Sequence, residues 1–144
     1  MGTLGIQQAT AHEAYTLSLQ IPEFAPWYPW TKWEERLDGK RVIILVAFSD
    51  GKPAGFKAGY YVEDHFYSWV GGVLPAFRRQ GVAALLAEEQ EAIVRASGVQ
   101  TIRMKTRNRF RGMLHFALKR GYYLTAIEQR GDPEDWRITL VKNL

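Results

Sequence analysis

The feature that most constrains this chain is a change of period between Val73 and Val82. From His65 to Val73 the residues are rich in Phe, Tyr, Trp and Val, the composition of a strand. From Val82 onward apolar residues recur at helical spacing, at Val82, Leu85, Leu86, Ile93 and Ala96, with Glu88, Glu91 and Arg95 assigned to other faces. Glu89 falls on the apolar stripe of that pattern, which a slight rotation of the stripe would explain. The intervening segment must therefore turn a strand into a helix. The first turn of any helix leaves backbone N–H groups without intrahelical partners, and with the helix dipole these form an anion site. Gly81 and Ala83 leave room for an anion's oxygens against the backbone, Arg78 and Arg79 add positive charge, and successive N–H groups of such a turn can form a nest. The plainer alternative is a connection in which glycine only permits the turn.

The rest of the chain frames this segment. Residues 10–20 read as a short helix capped near Thr10. Pro22, Pro26 and Pro29 then forbid a continuous helix, and a second short one spans Thr31 to Leu37. Arg41 to Phe48 is an unbroken apolar run, expected as a strand buried on both faces. Asp50-Gly51 signals a hairpin into a strand from Pro53 to Tyr61. Gly98 ends the long helix, and Val99 to Lys105 reads as a strand. Asn108 is expected to cap a helix whose face is Phe110, Met113, Leu114, Ala117 and Leu118. Two strands close the chain, about Tyr122 to Gln129 and Asp135 to Val141. This order implies an α/β (α+β) layered fold around a mixed sheet, as one domain over residues 1–144.

Composition removes several alternatives. The chain has no cysteine, which excludes disulfides, thiolate metal sites and a cysteine nucleophile. His12, His65 and His115 are scattered, so no metal is expected. The N-terminus lacks a signal-peptide pattern, Ile6 stands where myristoylation wants Ser or Thr after Gly2, and no apolar run is long enough to span a membrane; a cytoplasmic protein is expected. The net charge of +4 favours a polyanionic ligand, and a nucleic acid or a multiply phosphorylated cofactor both qualify.

The stretch Arg78-x-x-Gly81-x-Ala83, preceded by Val73-Leu74-Pro75-Ala76-Phe77 and followed by Gly121-Tyr122, resembles the GNAT acetyltransferase superfamily. The resemblance covers nearly the whole chain and is strongest from Phe66 to Tyr122. It implies a three-layer fold, with a mixed, mostly antiparallel sheet splayed into a V and flanked by about four helices. It implies acetyl-CoA as co-substrate, with Arg78, Arg79, Gln80, Gly81, Val82 and Ala83 around the pyrophosphate. The Val73 backbone would pair with the pantetheine arm, and Asn108 would touch it. Two departures stand out. Many relatives have a tyrosine general acid where this chain has Ala117, and a carboxylate base near the place of Ser68.

Without a cysteine, direct attack of an amine on the thioester is the simplest chemistry. A small-molecule or peptide amine is the expected acceptor. Glu23 is the candidate base, since the surrounding Phe24, Trp27, Tyr28, Trp30 and Trp33 would raise its pKa if packed around it; the plainer alternative is an exposed glutamate, or one paired with Arg36 or Lys57. That aromatic segment reads as core or as the lining of an acceptor pocket, and Lys57, inside an apolar strand, as a paired structural charge. The basic run Arg103, Lys105, Arg107, Arg109 and Arg111 suits CoA phosphates or a nucleic acid, although no nucleic-acid-binding motif accompanies it. Two rival readings stay open, a domain that binds acyl-CoA without catalysis and a basic nucleic-acid-binding module. A homodimer is compatible with the sequence.

Overall fold

The computed structural model describes residues 3–144; Met1 and Gly2, which enter the reading of the N-terminus, lie outside the described residues. In chain order the elements are β1 (Leu4–Gln8), α1 (Ala11–Ser18), α2 (Trp30–Leu37), β2 (Val42–Ser49), β3 (Lys52–Val62), β4 (His65–Val73), α3 (Val82–Ala96), β5 (Thr101–Arg107), α4 (Arg111–Lys119), β6 (Tyr123–Glu128) and β7 (Arg137–Asn143). Short 3-10 turns occupy Pro22–Phe24, Pro75–Phe77 and Pro133–Asp135. All the strands join one sheet in the order β1-β2-β3-β4-β5-β7-β6.

Each face of the sheet carries its own core. β2 feeds both, as its unbroken apolar sequence requires: Ile43, Leu45 and Ala47 enter one, Ile44 and Val46 the other. The first core takes Val82, Leu86 and Val94 from α3 and Ala117 from α4. The second takes Ala14 and Leu17 from α1 and Trp33 from α2. The result is the expected three layers. β1 was not expected. Its alternation of Leu4 and Ile6 with polar or small neighbours is too short to stand out, and it gains stability by pairing with β2 and packing both side chains on the first core.

One sheet junction differs from all the others. β4 and β5 are the parallel pair, and they pair only at Phe66↔Ile102, Tyr67↔Arg103 and Ser68↔Met104. Beyond Ser68, β4 stays with β3 as far as Val73, while β5 stays with β7 as far as Arg107. The two strands part, and the sheet opens into the expected V.

Two local expectations are corrected. Asn108 does not cap α4. Phe110 holds the N-cap position with no side-chain bond, and Asn108 Nδ2 instead donates to the Pro133 carbonyl at 2.8 Å. On α3 the apolar stripe is indeed rotated, which leaves Glu89 exposed, but Glu91 lies on the buried side and not on an outer face. Its carboxylate accepts from Lys142 Nζ at 2.7 Å and Arg120 Nη2 at 3.2 Å.

Lys57 lies near this group without an ion pair within 4 Å among the described residues. It keeps partial contact with solvent, but burial of its ammonium pulls the pKa down to about 8, against the nearby Glu91 charge that favours protonation. An unfolded lysine holds its proton to about 10.4. Between these values the unfolded chain binds more protons than the native one, so stability rises with pH across that window. Below it both states are protonated and the cost of burying the charge is fully present. Lys57→Met is expected to flatten the rise and to raise the midpoint at pH 7, with ~1 kcal/mol worth about 2–4 °C at this size. Thermal midpoints from pH 7 to 11 check this, and an unchanged slope would assign the effect elsewhere.

Candidate functional site

The site begins where β4 ends. Leu74 N–H donates to the Ala54 carbonyl at 2.9 Å, so Val73 and Gly55 form a pair without mutual hydrogen bonds. The N–H and C=O of Val73 therefore point away from β3, toward the cleft left by β5. After the Pro75–Phe77 turn the backbone enters the left-handed region at Arg79 (φ 62°) and again at Gly81 (φ 85°).

Gly81 is the N-cap of α3, and no side chain caps the helix. The Leu85 N–H to Gly81 carbonyl bond, 3.0 Å, opens the helical ladder, so the amides of Val82, Ala83 and Ala84 precede it. A Cβ built on Gly81 would meet nothing within 4 Å. The turn is thus open at Gly81, with no side chain lying over that position. Gln80 turns its side chain back to β2, where Ser49 Oγ donates to it at 3.3 Å. Val82 packs its side chain into the first core, while Ala83 and Arg79 are exposed, and Arg79 has no ion pair among the described residues.

Arg78 does something the sequence did not suggest. Its guanidinium grips Glu23 with contacts of 2.8 and 3.1 Å, and its Nε donates to the Val73 carbonyl at 3.2 Å. One arginine thus ties the proline-rich segment to the mouth of the cleft. The approach depends on Gly72, where a Cβ would come within 2.4 Å of Ile21 Cδ1 and 3.1 Å of Phe24 Cζ. The expected rise in the Glu23 pKa is corrected. The Arg78 hydrogen bond holds that carboxyl below its ordinary value, because the charged form is the one bonded, and Glu23 is too exposed for burial to compensate.

The aromatic segment splits between core and wall. Trp33 is buried, with its ring 4.9 Å from that of Trp69. Trp27 and Tyr28 are exposed; Trp27 Nε1 donates to the Ile21 carbonyl, and Tyr28 stacks on Trp69 at 6.0 Å. Ala117 and Ser68 are both buried, and neither a methyl nor an aliphatic hydroxyl titrates in the working range.

The basic run divides as well. Arg107 and Arg109 pair with Asp135, and Arg111 with Glu134, so three of its cations are answered from the turn before β7. Asn108 joins that same turn, leaving its Oδ1 as the atom for any further partner. Among the described residues no group of three or more His, Asp or Glu side chains is placed to hold a metal ion, and no helix is long and apolar enough to cross a membrane.

Comparison with known proteins agrees with this fold. No curated protein matches the chain. Among solved structures, the ribosomal-protein-S18-alanine N-acetyltransferase of Escherichia coli superposes with a TM-score of 0.82 at 19% identity, over 98% of this chain and 94% of that one. The PaiA N-acetyltransferase of Thermoplasma acidophilum, in complex with coenzyme A, gives 0.74 at 16% over 99% of each. A GNAT family acetyltransferase from Elizabethkingia anophelis with acetyl-CoA bound gives 0.72 at 17% over 98% of each. The family described as Acetyltransferase (GNAT) matches residues 9–122, most of the chain, and the protein belongs to this acetyltransferase family.

Proposed function

We propose that this acetyltransferase takes acetyl-CoA as donor and passes the acetyl group directly to a primary amine. The observation that carries the reading is the uncapped start of α3, open to a diphosphate and joined by Arg78 to the cleft. The amides of Val82, Ala83 and Ala84, with those of the left-handed turn over Arg79, Gln80 and Gly81, would hold the pyrophosphate. The Val73 N–H faces the cleft and would meet the pantetheine arm or polarise the thioester carbonyl. Asn108 Oδ1 is a further candidate contact.

In the transfer, the nitrogen lone pair forms the N–C bond as the C–S bond breaks. An ammonium acceptor gives one proton to solvent before attack and a second, with bond formation, to the departing thiolate. Holding the reactants together is the main contribution, worth about 7–11 kcal/mol when orientation is good. Calorimetry with acetyl-CoA, followed by detection of CoA thiol over an amine panel, tests both halves. Tight binding without turnover on any amine would favour a non-catalytic acyl-CoA-binding domain, a reading that the buried Ala117 and Ser68 support.

Glu23 is better placed to hold Arg78 than to accept a proton. Glu23→Gln is then expected to weaken acetyl-CoA binding only about threefold, since exposed ion pairs contribute under ~1 kcal/mol, and to leave the pH profile of kcat unchanged. A hundredfold fall in kcat with loss of the acidic limb would restore Glu23 as base.

A further inference from the structure

The cleft passes through the sheet. The helix α3 packs on the first-core face, so the acceptor is taken to approach from the second face, where α1 and α2 pack. This inference rests on the acetyltransferase reading and concerns what that second face selects.

On the β4 wall the second face presents Tyr67 and Trp69, with Tyr60 from β3 beside them; the Tyr60 and Tyr67 rings lie 5.5 Å apart. Arg36 reaches over from α2. Its Nη1 donates to the Tyr60 hydroxyl at 3.3 Å, and its guanidinium lies 5.4 Å from the Trp69 ring centre. On the opposite wall Ile138 and Leu140 of β7 point into the first core, so Arg137 and Thr139 point to the second face. Arg137 is paired in register with Arg107 on one side and with Glu128 of β6 on the other. The Arg36 and Arg137 guanidinia lie near enough to Tyr67 to oppose the effect of burial on its hydroxyl.

Neither arginine has an acidic partner within 4 Å among the described residues. Of the acids nearby, Asp135 pairs with Arg107 and Arg109, and Glu128, the register neighbour of Arg137 on β6, pairs with Arg130, while Glu34, Glu35 and Asp38 beside Arg36 are exposed. Arg36 and Arg137 are also half-buried. A half-buried guanidinium without a counter-ion is costly, and an arriving anion would relieve that cost. Polyamines and other cationic acceptors would meet like charge on both walls.

We propose that the acceptor is an amine that itself carries an anion, a carboxylate or a phosphate monoester, and that Arg36 and Arg137 hold this anion from opposite walls of the cleft while the amine faces the thioester. The arrangement also addresses the proton that must leave. Two fixed cations beside the acceptor disfavour its ammonium form, so the attacking amine is freed without a dedicated carboxylate base. Arg36 and Arg137 are thereby specificity-determining residues.

The test uses the whole protein with acetyl-CoA and matched acceptors: α-amino acids against their carboxamides and decarboxylated amines, and aminoethyl phosphate against ethanolamine. The anionic member of one series is expected to have the higher kcat/KM, by about tenfold or more, and the winning series tells carboxylate from phosphate. Arg36→Gln and Arg137→Gln should each raise KM about tenfold for that acceptor but not for its counterparts lacking the anion, and leave acetyl-CoA affinity unchanged, with partial recovery in Arg137→Lys. Should acetyl-CoA bind while neutral amines are preferred, or while no anionic amine is turned over, this proposal falls and the donor assignment stands. Should acetyl-CoA itself fail to bind, the donor assignment falls first.

Discussion

Gly81→Glu is expected to abolish acetyl-CoA binding, a loss of at least about a hundredfold, while leaving a folded protein. Gly81 sits at φ 85° as the N-cap of α3, with open space where a side chain would project. A glutamate there meets a modest backbone cost, about 1–2 kcal/mol for an L-residue in the left-handed region. Its charge is favourable to the helix, since a carboxylate near an N-terminus complements the dipole. What it destroys is the vacancy itself: the carboxylate would lie in the space proposed for the diphosphate and repel it. Two companions separate strain from charge. Gly81→Asn tolerates the left-handed backbone and Gly81→Ala bears the strain without charge, and both should keep most of the affinity. Calorimetry reads binding and circular dichroism reads the fold. An unaltered Kd in Gly81→Glu would remove the turn from the donor site.

The turn was legible in the sequence because everything it needs is local. A strand pattern, small residues at Gly81 and Ala83, and a helical stripe beginning at Val82 lie within one short span, and each has a short-range physical reason. The buried β2 and the Thr10 cap of α1 were legible for the same cause; the structure adds that the Glu13 carboxylate accepts the Thr10 N–H in return. The errors share the opposite cause. Asn108 has the right chemistry for a cap, but the Pro133 carbonyl, distant in sequence, competes for its amide. Glu91 reads as a surface residue until Arg120 and Lys142 are brought to it by α4 and β7. Glu23 looks like a carboxyl among aromatics, and its affinity for a proton is set instead by Arg78, far along the chain. The pair Arg36 and Arg137 had no sequence signal at all, since it exists only when α2 and β7 flank one cleft.

Glu91 carries the largest expected effect on stability. Its carboxylate, only 8% exposed, is the acceptor for Lys142 on β7 and for Arg120 at the end of α4, so it fastens α3 to two elements beyond the cleft. Glu91→Ala would leave two half-buried cations facing each other, with Lys57 a third cation nearby and the Arg120 Nε already without a partner. Breaking a buried pair by removing one member typically costs about 3–5 kcal/mol, mostly from the charge left behind. A fall of that size in denaturant stability, with an unchanged slope against denaturant concentration, is the expected result. If the stranded cations are the cause, removing them should reverse it. A variant with Glu91→Leu, Arg120→Leu and Lys142→Met together is expected to recover most of the loss, because an apolar cluster of similar volume can replace a buried ionic one at little cost. The anion turn is docked separately, through Val82 in the first core, so well below its melting point Glu91→Ala should still bind acetyl-CoA with nearly native affinity. A stability loss under ~1 kcal/mol would mean that solvent reaches and screens this cluster. A triple variant no more stable than Glu91→Ala would mean that the ionic contacts themselves, and not the desolvation of their remnants, hold α3 to β7.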